Sequence, residues 1–199
     1  MGILIDANLN WKNQVDYIAK KVRKSVGILS KLRYYLDISS LANLYYALIF
    51  PFLIYGIIAW GNTYPTTLQS IVVLQKKALR IITFSKFDEH SSPIFKQLKI
   101  VKFSDLVKYC VAIFMYKFHN HQLPSVFNDL FIPVDKIHSH NTRLACRKTY
   151  YLPKTRTNYG IFNIRFQGPK IWNLIEENVR ALSMSQFKKV LKNKFLNDY

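Results

Sequence analysis

"LYYALIFPFLIYGIIAW", residues 44–60, runs for 17 residues without a charge. Whether it crosses a membrane or lies in a protein core decides the fold. A spanning helix needs about 20 mostly apolar residues. This run is shorter, is interrupted by Pro51 and Gly56, and spreads Tyr45, Tyr46 and Tyr55 along its length rather than at its ends. Hydroxyls at mid-bilayer depth need partners that lipid does not supply. The stretch therefore reads as a buried helix, capped by Ser39 and running to about Phe50, where Pro51 kinks it or begins a second one.

The rest of the chain explains what surrounds that apolar run. At 199 residues it fits one domain, or two small ones sharing a core, and it can bury that core without disulfides. Half the residues are apolar and 30 are Phe, Tyr or Trp, which excludes a disordered tail. Lys and Arg outnumber Asp and Glu by 29 to 11, for a formal charge of +18. Such self-repulsion is tolerated most easily beside a polyanion, either nucleic acid or an anionic membrane surface. Cys110 and Cys146 form no C-x-x-C pattern, which points to a reducing compartment. "MGILIDANLN" lacks a basic n-region, and Asp6 stands where myristoylation wants Ser or Thr. The expectation is an intracellular protein, of cytoplasm, nucleus or both, with no signal peptide and no transmembrane segment.

Periodicity predicts a mainly α fold. "GILI" reads as a short strand ending in a turn at Asp6-Ala7-Asn8. Residues 11–36 carry Val15, Ile18, Val22, Leu29, Leu32 and Leu36 at helical spacing, with Lys20, Lys24 and Lys31 on a separate face. A further helix at about 66–84, opened by Pro65, groups Leu68, Ile71, Val72, Leu79 and Ile82 against Lys76, Lys77 and Arg80. "SKFDEHSSP" at 85–93 is the clearest break; a short helix and a longer apolar one follow to about residue 120, and 121–146 is irregular. "RKTYYLP" and "IFNIRF" look like strands of a small hairpin. Pro169 is expected to open the next helix, and Ser183 or Ser185 to cap a last one with Phe187, Val190, Leu191 and Phe195 inward. The organisation expected is a helical bundle over 1–84, a helical connector over 85–140, and a basic α+β extension with the hairpin over 141–199.

Several of these stretches together resemble one family. "MGILIDANLNWKNQVDYIAKKV", through Gly2, Asp6, Leu9 and Trp11, is similar to the strand and basic helix that close the reverse-transcriptase domain of non-LTR, jockey-like retrotransposons. "LYYALIFPFLIYGIIAWGN" resembles the helices that follow, through Tyr46, Pro51, Tyr55, Gly56, Trp60 and Gly61. "LQKKALRIIT" matches a Gln-Lys-x-x-x-Arg helix at Gln75, Lys76 and Arg80. "HNTRLA" and "GPKIWNLI" resemble segments of the C-terminal tail, through Thr142, Arg143, Gly168, Pro169, Trp172 and Asn173. The resemblance implies the end of the palm, a thumb whose spine is residues 44–60, and a C-terminal extension. Its implied partners are an RNA template and a DNA primer, or an RNA–DNA hybrid, together with the fingers and the remaining palm of the polymerase.

The same resemblance implies that the chain alone does not polymerise. Those enzymes hold paired divalent metal ions, magnesium by expectation, on aspartates that include an adjacent Asp-Asp. Here the adjacent acids are Asp88-Glu89 and Glu176-Glu177, and no Asp-Asp occurs. No catalytic residue and no cofactor is assigned. His119, His121, His138 and His140 with Cys110 and Cys146 match no standard zinc spacing, and there is no Gly-rich phosphate loop and no G-x-S-x-G.

The candidate nucleic-acid contacts are therefore cationic. Lys20, Lys24, Lys31, Lys76, Lys77 and Arg80 could track a phosphate backbone, and the plainer alternative is a solvated face. Arg143, Arg147, Lys148, Lys154, Arg156 and Arg165 interleave with Tyr150, Tyr151 and Tyr159, a pattern suited to RNA or simply to a hairpin whose tyrosines pack. Trp11, Trp60 and Trp172 read as core anchors. Two other classes stay open: a transposon-derived interaction module with no nucleic-acid role, and a peripheral membrane protein that uses residues 44–60.

Overall fold

A computed structural model describes residues 2–137 and 149–199, and the chain is mainly helical as expected. It divides into two compact units, one of Met1–Val107 with Lys194–Tyr199 and one of Lys108–Asn193.

In the first unit the expected strand at 2–5 is absent. A strand needs a neighbour to satisfy its backbone, and this segment finds a side chain instead, the Leu4 amide donating to Gln14 Oε1 at 2.8 Å. The turn after it is as expected. The Asp6 carboxylate accepts from the amides of Asn8, Asn10 and Trp11 at 3.0–3.1 Å, and so organises the chain's entry into helix α1, Lys12–Leu32. Val15, Ile18, Val22 and Leu29 are buried along α1 as the spacing required, with Val26 completing the seam. Leu32 and Leu36, at and beyond the helix end, are only half-buried.

The uncharged stretch folds as three short helices, α2 (Ile38–Leu48), α3 (Phe50–Ile54) and α4 (Ile57–Trp60). Leu41, Tyr45, Ile49, Leu53, Ile57 and Trp60 are all buried, so one apolar stripe survives both breaks. Asp37 rather than Ser39 caps α2, its carboxylate accepting from the Ser40 amide at 3.2 Å. This hydrogen bonding with Ser40 also holds the Asp37 carboxyl below its ordinary pKa. Asp37 wins because its side chain reaches the free amide of the first turn from an extended backbone. Pro51 lies in the first turn of α3, and Gly56 takes φ 61, a left-handed turn that suits glycine, ahead of α4. Among the described residues no helix is long and apolar enough to cross a membrane.

Helix α5, Pro65–Ile82, packs along α1 in the most extensive helix pair among the described residues. Helix α6, Ser91–Gln97, and the start of α7, Phe103–His119, complete this unit. Trp60 stacks on Phe103 at 5.6 Å, and Tyr199 Oη accepts from the Lys102 amide while donating to Asp105, both at 2.9 Å.

The second unit is built on Ala112, Met115, Tyr116, Phe131, Tyr150, Trp172, Ile175, Phe187 and Leu191. The expected hairpin is not formed. Residues 158–162 and 164–173 are helices, α8 (Asn158–Phe162) and α9 (Ile164–Asn173), so the mainly α description holds without its β detail. Thr157, from the expected connection, and Asn163, an expected polar strand position, accept from the amides of Gly160 and Arg165 and start these helices. The extended segment at 149–151 pairs with 132–134 instead, through Val134 N–H to Thr149 O at 3.0 Å and Tyr151 N–H to Ile132 O at 2.8 Å. Pro169 sits inside α9 rather than at its start, because Asn163 begins the helix earlier. A turn of helix, α10 (Glu177–Arg180), precedes α11, Met184–Asn197. Ser183 and Gln186 exchange hydrogen bonds across its first turn, a capping box. Phe187 and Leu191 point inward; Val190 is exposed and Phe195 half-buried, and Leu196 is the buried residue near the helix end.

Candidate nucleic-acid interface

Ten cations and three acids occupy residues 1–84, and six of those cations lie on α1. Burial of Val15, Ile18, Val22 and Leu29 fixes the rotation of α1, which turns Lys20, Lys24 and Lys31 to solvent. Lys20 and Lys24 line a shallow depression with Tyr17, Lys21 and Arg23, and Lys21 Nζ lies 5.5 Å from the Tyr17 ring centroid. Four cations within two turns, and one acid on the whole helix, make a surface that attracts polyanions without reading their sequence. Lys31 does not line this depression.

A second grouping depends on packing. Lys77 and Arg80 of α5 meet Arg33, the C-cap of α1, around a recess of about 170 Å³ that Ile81, Ser85 and Phe87 also line. The Arg80 guanidinium is oriented by Glu89, whose backbone carbonyl accepts from Nε at 3.0 Å and from Nη2 at 2.7 Å. Arg33 lies 5.0 Å from the Phe84 ring. Phe84 closes α5 in a left-handed conformation, with Ser85 N–H to Arg80 O at 3.0 Å. Lys99 and His121 close α6 and α7 in the same way, so the Phe84 backbone is a stop signal and not a mark of function. Basic residues in a last turn also complement the helix dipole, which accounts for Arg33 and Arg80 but not for Lys77. Lys76 is half-buried and lies outside the recess.

In the second unit Lys154 and Arg156 are exposed on a non-helical segment, with Arg165 exposed on α9. Arg143, Arg147 and Lys148 lie outside the described residues, as do His138, His140 and Cys146. Tyr150 belongs to the core, its hydroxyl 3.0 Å from His119 Nδ1, and burial pushes it up to about 12. Tyr151 and Tyr159 are exposed. Trp60 and Trp172 are fully buried and Trp11 is half-buried.

Among the described residues no three His, Cys, Asp or Glu side chains gather where they could hold a metal ion. Cys110 is buried, and its thiol is pushed up to about 11 by desolvation, the opposite of an activated nucleophile.

Lys21, Arg23, Arg33 and Phe87 were not singled out by the spacing rules. For Lys21 and Arg23 the local density of charge was a usable signal. Arg33 and Phe87 join Lys77 only through the packing of α1 on α5, which no local pattern encodes.

No family model matches the chain, and no solved structure matches it. It is 27% identical over 124 residues to the RNA-directed DNA polymerase from mobile element jockey of Drosophila melanogaster. That alignment covers 61% of this chain and 14% of the polymerase, so the chain spans a small part of the curated relative it matches. The similarity supports a reverse-transcriptase-like relationship with a retrotransposon polymerase.

Proposed function

We propose that this chain is a non-catalytic, nucleic-acid-holding part of a non-LTR retrotransposon reverse transcriptase, comprising the end of the palm, the thumb and a C-terminal extension. Its first unit grips an RNA template with its DNA primer, or the resulting hybrid, by the phosphate backbones; synthesis belongs to the remainder of the polymerase. The observation that carries this reading is the clustering of exposed cations on α1, with Lys77 and the half-buried Arg33 and Arg80 gathered at the junction of α1 with α5. The similarity to a retrotransposon polymerase supports the choice of partner.

Counterion release gives the test. If about four phosphates are contacted, log Kd changes with log salt by about 3.6, so affinity for an RNA–DNA hybrid falls about 10²-fold between about 50 and 200 mM salt. An affinity that stays flat across that range overturns the reading. Equal, weak affinity for hybrid and for heparin assigns the chain instead to an interaction module without a nucleic-acid role.

A further inference from the structure

The recess of Arg33, Lys77 and Arg80 carries a feature that backbone gripping does not use. Phe87 stands on its rim with 87% of its surface exposed, on the polar loop between α5 and α6. A single exposed apolar ring is ordinary on a protein surface, so the informative feature is its place beside three cations.

The loop that presents the ring is tied at both ends. The Lys86 amide donates to Glu89 Oε2 at 3.2 Å, the Glu89 amide donates to Lys86 O at 3.3 Å, and Arg80 holds Glu89 O from α5. Phe87 is therefore held out by a closed turn. Asp88 and Glu89 belong to the same turn, and the Glu89 carboxylate is engaged with the Lys86 amide. No carboxylate lines the recess, and its cations come from the two helices.

The volume of the recess, about 170 Å³, is well below the roughly 300–1,000 Å³ typical of cofactor pockets. It suits a phosphate group, with the two nitrogens that Arg80 gives to Glu89 setting the plane of a fork that has five donors in all. An aromatic face beside such a group is the arrangement that binds single strands, where cations follow the backbone and rings stack on bases of any identity. Within a duplex the base faces are covered by their neighbours, so Phe87 can stack only on a base that is unpaired or terminal.

We infer that Arg33, Lys77, Arg80 and Phe87 form a binding site for one unpaired nucleotide of a nucleic-acid strand, its phosphate on the cations and its base on the Phe87 ring. The site rests on the nucleic-acid reading above and adds to it a preference for single-stranded extensions.

The experiment measures, by fluorescence anisotropy on the full chain, affinity for three probes. These are a blunt RNA–DNA hybrid, the same hybrid with a short single-stranded overhang in RNA or DNA, and that hybrid with an abasic overhang. The expected result is an overhang with bases bound about fivefold or more tightly than the abasic one. In Phe87→Ala the ratio of those affinities falls toward one, and Phe87→Trp restores it. Equal binding of based and abasic overhangs by the unaltered chain, or a ratio indifferent to Phe87→Ala, overturns the site while salt-dependent binding of the blunt hybrid keeps the backbone reading. Failure to bind any of the three probes overturns both.

Discussion

Gln75 and Tyr45 meet in the core of the first unit, Gln75 Nε2 donating to the Tyr45 hydroxyl at 2.9 Å with both side chains closed to solvent. The same amide nitrogen donates to Val101 O at 3.0 Å, and Oε1 accepts from the Phe103 amide at 2.8 Å. One side chain thus joins α5 to α2 and to the segment that enters α7. Removing it leaves a buried hydroxyl, a carbonyl and an amide without their partner, each costing about 1–3 kcal/mol when desolvated and unmade. Gln75→Leu is expected to lower the unfolding free energy by about 3 kcal/mol, and Tyr45→Phe by about 1 kcal/mol. Urea unfolding followed by circular dichroism checks both; a Gln75→Leu protein as stable as the parent would show that the network does not hold the unit.

Alkaline pH should attack the same region. Burial raises the Tyr45 hydroxyl far above its ordinary value, and desolvation raises that of Tyr199 likewise. A group whose folded pKa lies above its unfolded one contributes stability that is complete below the unfolded value, about 10, and is lost as pH climbs toward the folded value. Unfolding free energy is therefore expected to fall from about pH 10 upward, and less steeply in Tyr45→Phe. Phenolate absorbance gives an independent check: at about pH 11 the native chain should show fewer ionised tyrosines than the same chain in denaturant. Coincident titration curves would count against the burial of these hydroxyls.

Asn173 makes the corresponding contact in the second unit. Its Oδ1 accepts from the Tyr150 amide at 3.0 Å and its Nδ2 donates to the Tyr150 carbonyl at 2.8 Å, as a neighbouring strand would. Asn173→Ala is expected to cost about 2 kcal/mol, and Asn173→Asp to be no better, because a carboxylate keeps the acceptor but turns the donor into a second acceptor facing the Tyr150 carbonyl. Thermal unfolding of the two variants decides it; an Asp variant as stable as the parent would mean that the donated bond contributes nothing.

What could be read from the sequence divides along the reach of its signals. The seam of α1 and the Asp6 turn depend on residues within a few positions of each other, and both are found as expected. Asn163 was misread because a polar residue between Phe162 and Ile164 fits an alternating strand and a helix cap equally well, and only its bond to the Arg165 amide separates them. For Tyr150 the pattern leaves stacking on a base and packing in a core equally open, because the neighbours that decide it, Phe131 and Trp172, are distant in the chain. The recess was invisible for the same reason: Arg33 and Lys77 become neighbours only once α1 lies along α5.

Reversing charges at chosen places separates a local interface from the pull of a chain carrying +18 overall. Lys20→Glu with Lys24→Glu alters the depression on α1, where both side chains are exposed and neither supports the core. Lys188→Glu with Lys189→Glu makes the same change in net charge on α11, at two exposed positions assigned no contact. Each lysine that touches a phosphate adds about 0.9 to the salt slope, so the α1 pair should lower that slope by about 2 and weaken hybrid binding about tenfold or more at low salt. The α11 pair, which is assigned no phosphate contact, should leave the slope nearly unchanged. If both pairs lower slope and affinity equally, overall charge holds the nucleic acid and α1 has no special part in it. Should only the α11 pair matter, the interface lies in the second unit, and Lys154 and Arg156 become the next residues to reverse.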